Sequence, residues 1–419
     1  MSTNEQFLQA IVDDPENDLP RLIYADWLDE QGDPRGEFIR VQCELARLDE
    51  FDPDRLPLIE RQDRLLKKHK ATWTKDRKIA GVLVYEFHRG FIETVTLNAK
   101  NNLQNADALL DAIPTIRRVK VNSIKPVIDD FIRSEWLQRI DSLDLSRNQL
   151  GGRSTQKFLE SPNLGNLREL ELSHNNIPAS GFMALVESDK LPRLKSLVCR
   201  EAELTNLQSL AEIARGPLWL QLESIELCQQ FWNDDAIQTL AENWPVCGWK
   251  RLNLGYNRFG ERGLLSLLEN GHLTSLEWLH VGACDQISDP PIIRLAESAE
   301  LSGLETLNLN GCNIHEAGLQ AVLNSQTLSQ LRTLFISSNL MPEIVLPIVA
   351  SSTGLPKLQQ LYLNTEEDIQ WDDLDSLREP NRLQQLQSLV IPWYAREDHV
   401  IDEIRCLLPN VKITLHNLF

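Results

Sequence analysis

The sequence predicts an α/β solenoid, with short strands and helices alternating along most of the chain behind a small all-helical module. Three observations predict it. The pattern L-x-x-L-x-L-x-x-N/C-x-L returns at nearly constant spacing over more than 300 residues. Each copy is followed by apolar residues at i, i+4, the spacing of a helix packed on one face. Residues 1–80 contain helix signals but no copy of the pattern.

The N-terminal module comes first along the chain. A first helix is expected from Asn4 to Val12, with Phe7, Leu8, Ile11 and Val12 apolar. The second has Pro20 in its first turn and Gly32 beyond its last, the usual start and stop signals. Its apolar arc reads Leu19, Leu22, Ile23 and Trp27, and Asp26 falls in the middle of that arc. An unpaired carboxylate there would cost several kcal/mol or lose its charge. The expectation is therefore a buried pair between Asp26 and Arg35 or Arg40 that sets the angle between two helices. The third helix, 36–48, is expected to bury Phe38, Val41, Leu45 and Leu48, and a fourth spans 54–70.

The array follows. Clear copies are LRELELSHNNI (167–177), WKRLNLGYNRF (249–259), LETLNLNGCNI (304–314) and LRTLFISSNLM (331–341), with weaker ones such as LKSLVCREAEL (194–204). The first apolar positions are Ile92, Ile116, Ile140, Leu167, Leu194, Leu222, Trp249, Leu276, Leu304, Leu331, Leu358 and Leu386, with a truncated copy at Leu408. From Ile140 to Leu386 every step is 27 or 28 residues. This array, expected over residues 81–419 with about 12–13 repeats, resembles the ribonuclease-inhibitor-like class of leucine-rich repeats over residues ~90–415. The resemblance implies a horseshoe with strands on the concave side and helices on the convex side. Strands spaced about 4.8 Å apart and helices spaced about 8–10 Å apart can share one stack only if it curves. It also implies that Asn148, Asn175, Asn257 and Asn339, with Cys284 and Cys312 in the same ninth slot, satisfy backbone groups at the turn. Glu366 and Tyr394 depart from that slot. The stretch FLQAIVDDPENDLPRLIYADWLDEQGDPRGEFIRVQ resembles the repeat-companion domain of bacterial repeat proteins, which implies architecture and no established activity.

Composition narrows the function. Net charge is −19 at pH 7, which argues against broad nucleic-acid or membrane binding. The charge is uneven: residues 61–125 carry 14 Lys/Arg against 6 Asp/Glu (+8), and residues 1–50 carry 4 against 13 (−9). Either the two segments neutralise each other, or Lys67, Lys68, Lys70, Lys75, Arg77 and Lys78 build an anion-binding end. The N-terminus lacks the basic and apolar regions of a signal peptide, so a cytoplasmic protein is expected. Seven cysteines include no CxxC pair and no zinc spacing. There is no P-loop, GxSxG, HExxH or dinucleotide-binding glycine pattern, so neither catalysis nor a cofactor is expected.

Positions 3, 5 and 7 of each copy should face away from the helices. Arg118 and Lys120 make the first strands basic, while Asp144, Glu169, Glu171, Glu201 and Glu226 make the middle acidic. Tyr256, Trp278, His280, Phe335, Tyr362 and Trp393 make the later part aromatic, with Arg251 beside them. Aromatic residues also favour plain cross-strand packing, but on an open face they are the usual anchors of protein docking. Cys228 is expected on the same face. The leading expectation is a monomeric, non-catalytic scaffold holding a protein partner. Two alternatives remain: a small-GTPase activator using Arg118, Lys120 or Arg251, and an anion or nucleic-acid binder using residues 61–125.

Overall fold

The structure, a computed structural model, describes residues 3–48, 52, 54–75, 82–202, 204, 206–339, 342–363, 369–378, 386–392 and 398–416. The chain divides into two compact units, residues 1–175 with 189–194 and residues 176–188 with 195–419.

The first unit opens with four helices, α1 (Thr3–Asp13), α2 (Asp18–Glu30), α3 (Arg35–Arg47) and α4 (Arg55–Trp73). Asn17 caps α2 by accepting a hydrogen bond from Leu19 N at 2.9 Å, and Gly32 ends the helix region with φ +70°. Gly36 lets α3 lie close on α2: a Cβ there would stand 2.6 Å from Ala25 O. The buried side of α2 is Arg21, Tyr24, Ala25 and Leu28. Tyr24 sets it by packing against Phe7 at 5.5 Å and Phe91 at 5.8 Å between ring centroids.

That orientation corrects the expectation for Asp26. Leu19 and Ile23 are exposed, and the buried side lies about two residues, roughly 180°, around the helix from the expected arc. Asp26 points to solvent with its side chain 72% exposed, where Arg40 pairs with it at 2.5 Å and with Asp29 at 2.5 Å. Arg35 turns away, donates to Gly90 O at 3.3 Å, and lies over the Phe91 ring. The buried pair is a different one: Arg21 with Glu93 at 2.6 Å, their side chains 1% and 9% exposed.

Five strands complete the unit: β1 (Val82–His88), β2 (Phe91–Asn98), β3 (Arg118–Asn122), β4 (Ser142–Asp144) and β5 (Glu169–Glu171). β1 and β2 form an antiparallel hairpin that the repeat pattern did not announce. Its two turn residues, Arg89 (φ 46°) and Gly90 (φ 87°), have the paired positive φ of a tight hairpin. Gly90 is also required by contact, since a Cβ would meet Ile39 Cγ1 at 2.2 Å. Gln42 on α3 clamps the turn, accepting from Gly90 N at 2.6 Å and donating to Phe87 O at 3.0 Å. From β2 to β5 the pairing is parallel.

The acidic 1–50 segment and the basic 61–125 segment do meet. Glu37 pairs with Arg61, Glu16 with Arg117 and Arg89, and Asp18 with Arg89. Arg77 and Lys78 lie outside the described residues.

The second unit holds β6 (Ser196–Val198), β7 (Ser224–Glu226), β8 (Arg251–Asn253), β9 (Trp278–His280), β10 (Thr306–Asn308), β11 (Thr333–Phe335), β12 (Gln360–Tyr362), β13 (Ser388–Pro392) and β14 (Lys412–His416). All neighbours are parallel and in register, so position 4 becomes one column: Leu252 pairs with Leu279, Leu279 with Leu307, and Leu307 with Leu334. These four leucines are fully buried beneath the strands. Helices such as Asp234–Asn243 and Glu261–Glu269 cover them. Asp234 joins the two by accepting from Gly260 N and Gly263 N at the next helix N-terminus.

Candidate functional site

The turn that follows each strand decides what the helix-free face can display. Its ninth-position side chain is a buried staple. Asn257 Nδ2 donates to Leu227 O and Leu254 O, while its Oδ1 accepts from Gln230 N and Trp232 N. Asn175 repeats this in the first unit, donating to Leu145 O and Leu172 O and accepting from Asn148 N and Leu150 N. Cys284 and Cys312 fill the slot with a thiol that donates to Leu254 O and Val281 O. Burial drives the Cys312 thiol up to about 12 and the Cys284 thiol higher still, so both remain protonated and unreactive at neutral pH. Gln230 does the same work, donating to Cys199 O and accepting from Ala202 N. Sequence reading passed over it because Gln is not the residue the pattern names. Glu366 and Tyr394 lie outside the described residues. Cys228 is 4% exposed, which corrects its assignment to the open face.

The residue before the staple has positive φ in copy after copy: Arg147, His174, Glu201, Gln229, Tyr256, Ala283 and Ser338. Left-handed backbone throws that side chain outward, and Tyr256 is 56% exposed for this reason.

Beside Tyr256 stands the most developed group on the helix-free face of the second unit. Trp278 on β9 is half-buried, with the Arg251 guanidinium 4.6 Å from its ring centroid and the His280 ring edge-on at 5.8 Å. Tyr256 meets His280 from the other side at 6.2 Å. Two adjacent glycines make room for this histidine. A Cβ on Gly255 would come within 2.8 Å of His280 Nε2, and one on Gly282 within 3.0 Å. Burial, with Arg200 adding a smaller push, lowers the His280 pKa to about 4, so its ring is neutral at physiological pH.

The other expected residues are distributed differently. Phe335 stacks on Tyr362 at 4.1 Å but is only 7% exposed, which corrects its place in an open aromatic run. Parallel in-register pairing puts the two rings side by side, and each shields the other from water. Trp393 lies outside the described residues. Glu226 is paired with Arg200 at 2.9 Å. In the first unit, Glu171 accepts from Ser173 N at 2.7 Å, Lys120 pairs with Asp144 at 2.7 Å, and Arg118 reaches Glu169 at 3.9 Å. Lys120–Asp144, Arg118–Glu169 and Arg200–Glu226 thus pair charges of different repeats. Among the described residues, no three His, Cys, Asp or Glu side chains form a metal-holding group, and no helix is long and apolar enough to cross a membrane.

A family model described as "Leucine Rich repeat" matches residues 166–186 and 303–323. No curated protein matches the chain in sequence. Among solved structures, the chain resembles one from the yeast Rad7 and Elc1 complex, at 15% identity over 93% of both chains and a TM-score of 0.44. An internalin (inlF) of Listeria monocytogenes is 18% identical, covering 78% of this chain and 82% of that one, with a TM-score of 0.36. A chain of the TLR13-ssRNA13 complex is 17% identical, over 68% of this chain and 47% of that one, with a TM-score of 0.41.

Proposed function

We propose that this chain, a leucine-rich repeat protein with an N-terminal helical region, is a non-catalytic scaffold that holds a protein partner against Trp278 on the helix-free face of its second unit. One observation carries the reading. Arg251, Trp278, His280 and Tyr256 form a contiguous aromatic and cationic group whose outer member, Tyr256, is 56% exposed. Trp, Tyr and Arg dominate binding energy at protein interfaces, and leucine-rich repeat proteins are usually non-catalytic. In this reading residues 1–80 cap the array of residues 81–419. The spacing of 27 or 28 residues and the Asn/Cys staples support the ribonuclease-inhibitor-like class, and the YADWL and EFIR strings support a bacterial repeat-companion module. Seven free thiols support a reducing, cytoplasmic setting.

The test has two stages. Partners captured from the source cell are identified by mass spectrometry, then purified and titrated calorimetrically against wild type, Trp278→Ala, Tyr256→Ala and the helix-face control Glu261→Ala. Each of the first two variants should weaken binding about 30-fold or more, as expected for anchor residues worth about 2 kcal/mol or more, with the circular dichroism spectrum unchanged. Equal affinity of all four proteins would remove the assignment. The GTPase-activator alternative is not favoured, because Lys120 and Arg251 are already engaged with Asp144 and Trp278.

A further inference from the structure

The polar side chains beside Trp278 are sorted by hydrogen-bonding sense. Asn253 Oδ1 accepts from Gly255 N at 3.0 Å, and Asn308 Oδ1 accepts from Asn310 N at 3.0 Å. Asn310 Oδ1 accepts from Ser337 N at 2.7 Å. Each bond fixes the sense of the amide, because a backbone N–H can meet only its oxygen. The oxygens are thus consumed and the Nδ2 donors are left over. Among the described residues none of the three Nδ2 groups donates a hydrogen bond, and none is sealed from solvent. In the first unit the same cap is built with carboxylates: Asp144 accepts from Ser146 N at 2.8 Å and Glu171 from Ser173 N at 2.7 Å. A carboxylate cap leaves an acceptor over, whereas an amide cap leaves donors.

These donors are neighbours. Strand register sets Asn253 of β8 beside His280 of β9, and His280 beside Asn308 of β10. At the usual strand spacing the two asparagines stand roughly 9–10 Å apart, the reach of about three extended residues. Gly282 makes room for this arrangement too, since a Cβ there would stand 2.8 Å from Asn308 Oδ1. The neutral His280 ring adds one N–H between them.

Arg251 supplies the charge. Its guanidinium lies over the Trp278 ring, which occupies the flat face and leaves the N–H fork for a partner. In the position-3 row from Ser196 on β6 to Ser388 on β13, Arg251 is the one charged residue. The position-5 row over the same strands holds one carboxylate, Glu226, and Arg200 binds it at 2.9 Å. Arg251 makes no ion pair among the described residues; Glu223, near its strand, is taken by Lys195 and Lys250. Even Trp278 Nε1 is buried without an acceptor. The group is rich in donors and short of acceptors.

We propose that the partner held here presents an extended acidic peptide segment, with a carboxylate on the Arg251 fork and main-chain carbonyls on the Nδ2 groups of Asn253 and Asn308. The inference rests on the docking reading of Trp278 and adds the chemistry that this face recognises. Carboxylates and main-chain carbonyls are pure acceptors, and Trp278 with Tyr256 offers aromatic surface to the side chains between them. A nucleic acid fits less well. Its affinity comes from neutralising many phosphates at once, and the two rows hold a single unpaired guanidinium on a chain of net charge −19.

The test uses the full chain and fluorescence anisotropy with short labelled peptides. Three pools share one degenerate scaffold and differ only in carrying Glu, Gln or Lys at the fixed positions; mixed-sequence single-stranded RNA serves as the polyanion. The Glu pool should bind. The Gln pool should bind at least about tenfold more weakly, for want of a charge-assisted bond, and the Lys pool and the RNA should not bind. Arg251→Gln should weaken the Glu pool about tenfold and leave the Gln pool unchanged, a split that a merely structural arginine would not give. Asn308→Asp keeps an acceptor for Asn310 N, as Asp144 does for Ser146 N, but replaces the outward donor. It should weaken the Glu pool about tenfold or more with the circular dichroism spectrum unchanged. No binding of the Glu pool at millimolar concentration would overturn the proposal, as would equal binding of the Gln pool, tighter binding of the RNA, or indifference to both substitutions. If these fail while Trp278→Ala still weakens a purified protein partner, the acidic-peptide inference falls and docking on Trp278 stands. If Trp278→Ala leaves that partner's affinity unchanged, the docking reading itself falls.

Discussion

Replacing Asn257 with alanine tests the physical basis of the whole array. Its side chain makes four hydrogen bonds inside the second unit: Nδ2 to Leu227 O (3.2 Å) and Leu254 O (2.8 Å), and Oδ1 from Gln230 N (3.0 Å) and Trp232 N (3.2 Å). Asn257 is 3% exposed, so water cannot replace those partners without opening the turn. At a net value of about 1 kcal/mol per hydrogen bond, Asn257→Ala should cost about 4 kcal/mol. Asn257→Cys should recover no more than about 1 kcal/mol of that, because one weaker thiol donor replaces the four bonds of the amide in the manner of Cys284 and Cys312. Urea unfolding followed by circular dichroism gives the total. Solenoids open repeat by repeat, so amide hydrogen exchange at Gln230 and Trp232 is the sharper readout, and both should lose protection in the alanine variant. A cost under about 1 kcal/mol, unchanged exchange at those amides, or a cysteine variant no better than alanine would each refute the staple argument.

Three further outcomes are expected. Arg21→Ala strands Glu93 in the core and should destabilise the first unit by about 3–5 kcal/mol, whereas Arg21→Met with Glu93→Leu should recover most of the loss; a thermal denaturation series over the four combinations measures the difference. Ala283 has φ 55°, at the turn position where Gly311 (φ 59°) sits one repeat later, so Ala283→Gly should raise stability by about 0.5–1 kcal/mol in urea. His88 and His280 have folded pKa values of about 4 against an ordinary 6.5, so each contributes stability that is present above pH 6.5 and lost as pH falls towards 4. The melting temperature should fall across that window, and His88→Phe with His280→Phe should flatten the fall; NMR titration of the two imidazoles checks the pKa values directly.

What could be read from residue order is whatever repeats locally. A ruler of 27 or 28 residues places β5–β12 at positions 3–5 of each copy, as in the strands Trp278–His280 and Thr306–Asn308. The same ruler places Asn148, Asn175, Asn257, Cys284, Cys312 and Asn339 in one slot, because the turn after each strand always leaves the same backbone groups to satisfy. Elements outside the ruler were harder. The β1–β2 hairpin was missed, although Arg89-Gly90 between two alternating runs was its signal. In the candidate docking group, Tyr256, Trp278 and Arg251 could be picked out by residue type. The role of Gly255 and Gly282 could not, since the His280 ring that needs their missing Cβ atoms sits on another strand for one of them.

The amino-acid order alone therefore settles the period, the strand positions and the turn chemistry, because every repeat offers the same backbone groups to the same slot one repeat along, as Gln230 N, Trp232 N and Leu227 O do to Asn257. Packing over long sequence distances decided the rest. Tyr24, docked on Phe91, rotated α2 so that Asp26 met water and Arg21 met Glu93, and cross-strand stacking drew Phe335 out of solvent. Helix rotation costs little in local backbone energy and much in buried surface and unpaired charge, so the partner across the interface, not the helix's own pattern, sets which face is inside.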